Sequence, residues 1–165
     1  MLGGSLERAA HRRFGMYSRR MGFEFAETMS GTVAWDSEPG RKHPFKFEIS
    51  AHAESTRAHL LDGKVSVRGV LDAPPRAHGV DCEGIMIIRP IGQKIIRYEL
   101  SFQDDDGTPY ELVGQKDIRF LSLRRTLTYL PAEILDEQHR RVAVCETSFD
   151  VKNDLWSFLR SWKPA

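Results

Sequence analysis

The stretch FEFAETMSGTVAW, residues 23–35, alternates between apolar side chains and small or polar ones. Successive residues of a β-strand face opposite sides of the sheet, so this period of two predicts a strand with one face toward a core. The odd positions form the apolar face and include Phe25, Met29 and Trp35. One odd position is Glu27, so the predicted core face contains a carboxylate.

Further segments with strand patterns follow along the chain. Turn-forming residues separate them, and Asp104-Asp-Asp-Gly107 is typical of a tight hairpin because Asp and Gly tolerate positive φ. The segments are 45–53, 65–71, 82–88, 96–102, 110–118, 125–130 and 141–149. Together with 23–35 they predict a mainly β protein, an antiparallel eight-stranded up-and-down barrel, with a strongly curved sheet as the alternative.

Helical spacing of apolar residues marks both ends of the chain. Residues 1–20 are rich in arginine, with Ser5 as a candidate N-cap, and they predict a short N-terminal helix leading into one barrel domain at 21–165. A transit peptide, a segment that contacts anionic membranes and a flexible leader are the alternatives. After Asp150 an apolar stripe runs to Trp162, which predicts a C-terminal amphipathic helix.

Length and composition exclude several classes of protein. A chain of 165 residues fits one domain, and 24 basic against 23 acidic residues lack the excess of positive charge that binds nucleic acid. Two cysteines exclude a disulfide framework and favour a reducing, cytoplasmic location. No apolar run approaches the ~20 residues of a transmembrane helix, so no membrane span is predicted.

Glu27 and Lys116 are the candidate functional residues, because each interrupts an apolar face that should point into the barrel. An unpaired buried charge is costly, so these residues should be paired with each other or with strong hydrogen-bond partners. Three interpretations are open: a buried ion pair, a polar anchor at the bottom of a ligand cavity, and a catalytic acid or base.

Motifs for metals and cofactors are missing from the sequence. His52-Ala-Glu54 resembles half of a zinc-deaminase signature, but the Pro-Cys-x-x-Cys half does not follow. Cys82 and Cys145 lack the spacing of zinc ligands, and no phosphate-binding or dinucleotide-binding glycine loop occurs. The sequence therefore predicts no metal, no cofactor and no catalytic set.

Three motifs carry a resemblance to a known family: Phe-x-Glu-x-Met-x-Gly at 25–31, Tyr-x-Leu-x-Phe at 98–102 and Leu-x-Gly-x-Lys at 112–116. In this order they resemble a bacterial accessory barrel found beside oxidoreductases of the glucose-methanol-choline class, cholesterol-oxidase-like ones in particular. The resemblance implies a lipocalin-like (calycin) barrel that accompanies enzymes of lipid and sterol metabolism. The chain departs from the pattern after Lys116, where the Trp of the family is absent.

Three functional hypotheses result. The first is a non-catalytic barrel that binds a small apolar ligand, lipid-like or sterol-like, or that serves a lipid-metabolising oxidoreductase as its partner. The second is a small enzyme that acts on an apolar substrate through Glu27 and Lys116, and the third is a solid-core module for protein interaction. The residues expected to bind a ligand are Glu27, Lys116, Phe25, Met29, Phe47, Tyr98 and Phe102.

Overall fold

The computed structural model describes residues 23–53, 63–89, 93–117 and 129–149, with the backbone alone at 23–25, 51–53 and 149. These residues form eight β-strands. The strands are β1 (Phe23–Trp35), β2 (His43–Ala53), β3 (Lys64–Ala73), β4 (Ala77–Arg89), β5 (Ile95–Gln103), β6 (Pro109–Asp117), β7 (Tyr129–Leu135) and β8 (Arg141–Phe149).

The strands close into a barrel in which each one pairs antiparallel with the next along the chain. β8 returns to β1, with Thr147 opposite Gly31, so the sheet has no free edge between its first and last strands. The predicted mainly β, antiparallel, eight-stranded up-and-down barrel is confirmed. Both predicted helices and the leader at 1–20 lie outside the described residues.

Two predicted strand boundaries were wrong. β4 begins at Ala77, within the segment that its prolines and glycine had marked as a break. β7 continues to Leu135, whereas the sequence pattern had ended it at residue 130, just before Pro131. β6 pairs only with Ala132–Leu135, so its ladder requires no N–H from Pro131 and the strand tolerates the proline.

The hydrophobic side chains of all eight strands meet inside the barrel, as the period of two predicts. Packing is dense: a side chain that lined a water-filled space would keep accessible surface, and these side chains keep almost none. The largest of the fully buried ones are Trp35, Tyr98, Phe45, Phe47, Met29, Leu71, Met86, Leu100, Leu112, Leu130 and Ile134.

We call one end of the barrel the hairpin end, because the connections 36–42, 74–76, 104–108 and 136–140 lie there. In the predicted turn at 104–107, the Asp104 carboxylate accepts hydrogen bonds from the backbone N–H groups of Asp106 and Thr108, at 3.0 and 2.8 Å. Asp136 does the same for Gln138 and Arg140 in the β7–β8 turn. The opposite end of the barrel, where the connections 54–63, 90–94 and 118–128 begin and end, is the far end.

Gly84 lets two strands of the closed sheet approach each other. A Cβ atom there would collide with the backbone oxygen of Glu99 and would lie 2.9 Å from the Cα of Leu100, both in β5. The neighbouring backbone is held in the ladder and cannot move away as the end of a side chain can.

Gly84→Ala should therefore lower the free energy of unfolding by about 1–3 kcal/mol through overpacking. Gly114→Ala is the comparison variant, because the atoms nearest its Cβ belong to side chains, Leu130 Cδ1 at 2.9 Å and Ala132 Cβ at 3.0 Å, and not to the backbone of a neighbouring strand. Urea denaturation of both variants checks this expectation. Equal losses would show that contact with the backbone is not what requires glycine at Gly84.

Candidate functional site

Glu27 and Lys116 form a buried ion pair inside the barrel. Lys116 Nζ donates to Glu27 Oε1 at 2.6 Å, and the two side chains are only 3% and 5% exposed. Tyr98, on β5, donates its hydroxyl to the other carboxylate oxygen, Oε2, at 2.8 Å. The interpretation of the two charges as a buried pair is confirmed. We call Glu27, Lys116, Tyr98 and the adjoining Met29 the polar cluster.

Two weaker contacts of the ammonium group lie within the polar cluster. Lys116 Nζ lies 3.6 Å from Met29 Sδ, a weak hydrogen-bond acceptor, and 5.1 Å from the centre of the Tyr98 ring. The ring face attracts the cation and so adds to its stabilisation. Side chains from β1, β5 and β6 thus contribute to the surroundings of the buried charge pair.

The Tyr98 hydroxyl stays protonated at neutral pH. Burial raises the pKa of Tyr98 well above its ordinary value, and the charge and hydrogen bond of Glu27 raise it further. A phenol in this state donates to the carboxylate and keeps oxygen lone pairs with which it can accept. Tyr98 is therefore a neutral donor within the polar cluster.

The residues predicted to bind a ligand fall into two groups. Phe47 is fully buried and packs on Tyr98, with ring centroids 6.2 Å apart, so it adjoins the polar cluster. Phe102 belongs instead to the hairpin end, where its ring lies 5.6 Å from that of Tyr110. The side chain of Phe25 lies outside the described residues.

The polar cluster lies toward the far end of the barrel. Lys116 is the last inward-facing residue of β6, and its partner across the ladder, Ile96, pairs in turn with Ile88. Ile88 and Val65 are partly buried and pack against the core from this end. The charges thus lie on the far-end side of the dense middle of the barrel, the side on which Ile88 and Val65 also lie.

The hairpin end is closed by side chains whose contacts with one another the sequence analysis did not identify. Trp35 is 2% exposed and donates its indole N–H to the carbonyl of Pro74 at 2.9 Å. The Arg76 guanidinium lies 4.5 Å from the centre of the Trp35 ring and donates to the Tyr110 hydroxyl at 2.8 Å. Arg76 sits in a turn between β3 and β4, and no periodicity of the sequence connects it with a residue at the end of β1.

Both cysteine thiols are buried and free. Burial, with a smaller contribution from the negative charge of Asp81, raises the pKa of the Cys82 thiol to about 11. Burial also raises the pKa of Cys145. Neither thiol is a ready nucleophile, since the thiolate is the reactive form. Within the described ranges no group of three or more His, Cys, Asp or Glu side chains could hold a metal ion.

A groove of about 1190 Å³ lies near the hairpin end, on the outside of the barrel. Glu27 and Lys116 do not line it, so the groove and the polar cluster are separate features. Some of its carboxylates already have partners in the chain: Asp136 binds Arg140 at 2.8 Å, and Glu111 lies 3.5 Å from His139. The acidic lining residues are Asp81, Glu83, Asp104, Glu111, Asp136 and Glu137.

A scan against protein-family models and searches of curated proteins and of solved structures found no match to this chain. The resemblance to accessory barrels of cholesterol-oxidase-like enzymes stays a prediction. In the part of the chain that the structure describes, no helix is long and apolar enough to cross a membrane.

Proposed function

We propose that this protein is a non-catalytic, lipocalin-like barrel that binds a small apolar ligand with a polar head group at its far end. The observation that carries the proposal is the polar cluster, three hydrogen-bonding side chains placed where a filled apolar interior meets partly exposed apolar residues. The head group would reach Lys116 and Tyr98, and the apolar body would lie along Ile88 and Val65.

The closed hairpin end supports this choice of position. Trp35, Arg76 and Tyr110 fill that end, and the side chains between them and the polar cluster are fully buried. Since side chains fill the hairpin end, the proposal places the ligand at the far end. Sites of this kind combine apolar walls with a few convergent polar groups that fix the orientation of the ligand.

A binding role is favoured over catalysis by the state of the two ionisable groups. Both carboxylate oxygens of Glu27 accept hydrogen bonds, and the Tyr98 phenol holds its proton firmly. A general base must accept a proton from its substrate, and Glu27 is already occupied by Lys116 and Tyr98. As part of the same proposal, the ligand is lipid-like or sterol-like, the partner is a lipid-metabolising oxidoreductase, and the two free thiols favour the cytoplasm.

Mass spectrometry of the natively purified protein tests the proposal. We expect extraction of the wild type to release a lipid-like compound. The Tyr98→Phe variant should release about tenfold less of this compound per protein, because it lacks the hydroxyl group that completes the polar cluster. Thr147→Val is the matched control: Thr147 is also buried, but its hydroxyl donates to the carbonyl of Leu130 and not to a member of the polar cluster. A wild-type protein that carries no lipid and binds no added apolar probe would refute the proposal.

A solid-core module for protein interaction is the second candidate, and the dense packing of the barrel middle favours it. Such a module needs no ligand and presents its outer face to a partner. The same extraction separates the two functions, because a protein-interaction module releases no lipid and its Tyr98→Phe variant behaves like the wild type toward apolar probes.

A further inference from the structure

We infer that the arginine-rich segment 8–20 docks in the groove near the hairpin end, on the outside of its own barrel. Six carboxylates line this groove of about 1190 Å³, and among the described residues only one arginine and one histidine line it with them. The segment carries the opposite charge, with arginines at positions 8, 12, 13, 19 and 20. The inference does not depend on the proposed ligand.

Charge divides unevenly along the chain. Residues 1–20 contain five arginines and one acid, Glu7, a net charge of +4 with histidine neutral. The whole chain has a net charge of +1, so residues 21–165 carry −3. A concave surface lined by charges of one sign concentrates its field and attracts the opposite charge. The groove and the segment are therefore electrostatically complementary.

Three carboxylates of the groove are available to bind arginine. Asp81 and Glu83 are exposed on the outer face of β4, and Glu137 is exposed in the β7–β8 turn. Within the described ranges, none of these three side chains makes a hydrogen bond or an ion pair. A guanidinium can bind a carboxylate through two parallel hydrogen bonds, which makes arginine a suitable partner for them.

The pairing of the strands brings the start of β1 close to the groove. One row of outward-facing ladder partners crosses four strands: Ala26, Ser50, Arg68 and Glu83. Neighbouring strands lie ~4.8 Å apart, so this row covers ~14 Å along the sheet. β1 begins only three residues before Ala26, and Arg13 precedes that start by ten residues, which span up to ~33 Å when extended. The segment is therefore long enough to reach the groove of its own chain.

Trypsin, which cuts after arginine, tests this inference on the full-length protein. A docked segment is cut only when it leaves the groove, so the rate of cutting follows the undocked fraction. In the Asp81→Asn/Glu83→Gln variant we expect the bonds after Arg12, Arg13 and Arg19 to be cut about tenfold faster than in the wild type, because two carboxylates that hold the segment are gone. Mass spectrometry measures the rate at each bond.

Glu133→Gln/Glu146→Gln is the matched control. Its change in net charge is the same, and both residues are exposed on β7 and β8, outside the lining of the groove. We expect this control to be cut at the wild-type rate. Sodium chloride at about 0.5 M should bring the wild-type rate close to that of the groove variant, since salt screens exposed charges. Circular dichroism verifies that both variants fold.

Equal rates for the wild type and the groove variant at low salt would overturn the inference, as would equal acceleration in the control. Cutting that becomes faster when the wild type is diluted about tenfold would show that the segment docks on a second copy of the chain, and docking within one chain would then be wrong. None of these results affects the proposed ligand site, which the lipid extraction tests separately.

Discussion

Lys116→Met lowers the free energy of unfolding by about 3–5 kcal/mol, the largest loss we expect from any single substitution in the polar cluster. The variant keeps a side chain of similar length, so packing changes little. It removes the ammonium group 2.6 Å from Glu27 and leaves a carboxylate that is 5% exposed with only the Tyr98 hydroxyl beside it. Urea denaturation followed by circular dichroism measures the loss.

The double variant Glu27→Leu/Lys116→Met separates the charge from the packing. With both charges replaced by apolar groups, most of the stability should return. A deficit of about 1–3 kcal/mol should remain, because the buried Tyr98 hydroxyl loses its acceptor. If the double variant is as unstable as Lys116→Met, the loss comes from packing and not from an unpaired carboxylate.

Trp35→Ala should cost about 3–5 kcal/mol, since it empties the space at the closed hairpin end. The ring is 2% exposed, contacts Tyr110 edge-on with centroids 5.9 Å apart, and lies beneath the Arg76 guanidinium. Its indole N–H also satisfies the carbonyl of Pro74. Thermal and urea unfolding of the full-length protein give the change in stability.

Two milder variants divide the contribution of Trp35 into parts. Trp35→Phe keeps an aromatic ring and removes the bond to Pro74, with an expected loss of about 1 kcal/mol. Arg76→Ala removes the cation above the ring and should cost about as little, because a half-exposed cation–π contact contributes only about 0.5–1 kcal/mol. A loss for Trp35→Ala no greater than for Arg76→Ala would mean that the ring does not fill the hairpin end.

Much of the fold could be predicted from the sequence because successive side chains of a strand alternate between the two faces of the sheet. In a barrel with an apolar interior and a solvated outer face, most of the inward-facing residues of 23–35 must be apolar, and this alternation is visible without knowing the partner strand. Pro131 shows the limit of this reasoning. Whether a proline ends a strand depends on which neighbour needs its N–H, and that is a property of the pairing with β6 rather than of β7 itself.

The candidate site, too, could be predicted from the sequence only in part. Glu27 and Lys116 could be identified because each places a charge on the apolar face of its strand. An unpaired buried charge is costly, so each was expected to have a partner. The donation of the Tyr98 hydroxyl to Glu27 could not be predicted, because an inward-facing tyrosine is equally consistent with plain packing. The contact of Arg76 with Trp35 could not be predicted either, because Arg76 lies in a turn, where side chains do not alternate between two faces of a sheet.

Closure of the barrel has a consequence for synthesis on the ribosome. β1 leaves the ribosome first, yet one of its two ladders is made with β8, the last strand of the barrel. The bond from Glu27 to Lys116 likewise spans 89 residues of chain. Contacts of such long range form late and slow the search for the native state. The nascent chain therefore carries the Glu27 carboxylate in water until its lysine has been translated, and the charge is buried only in the last steps of folding.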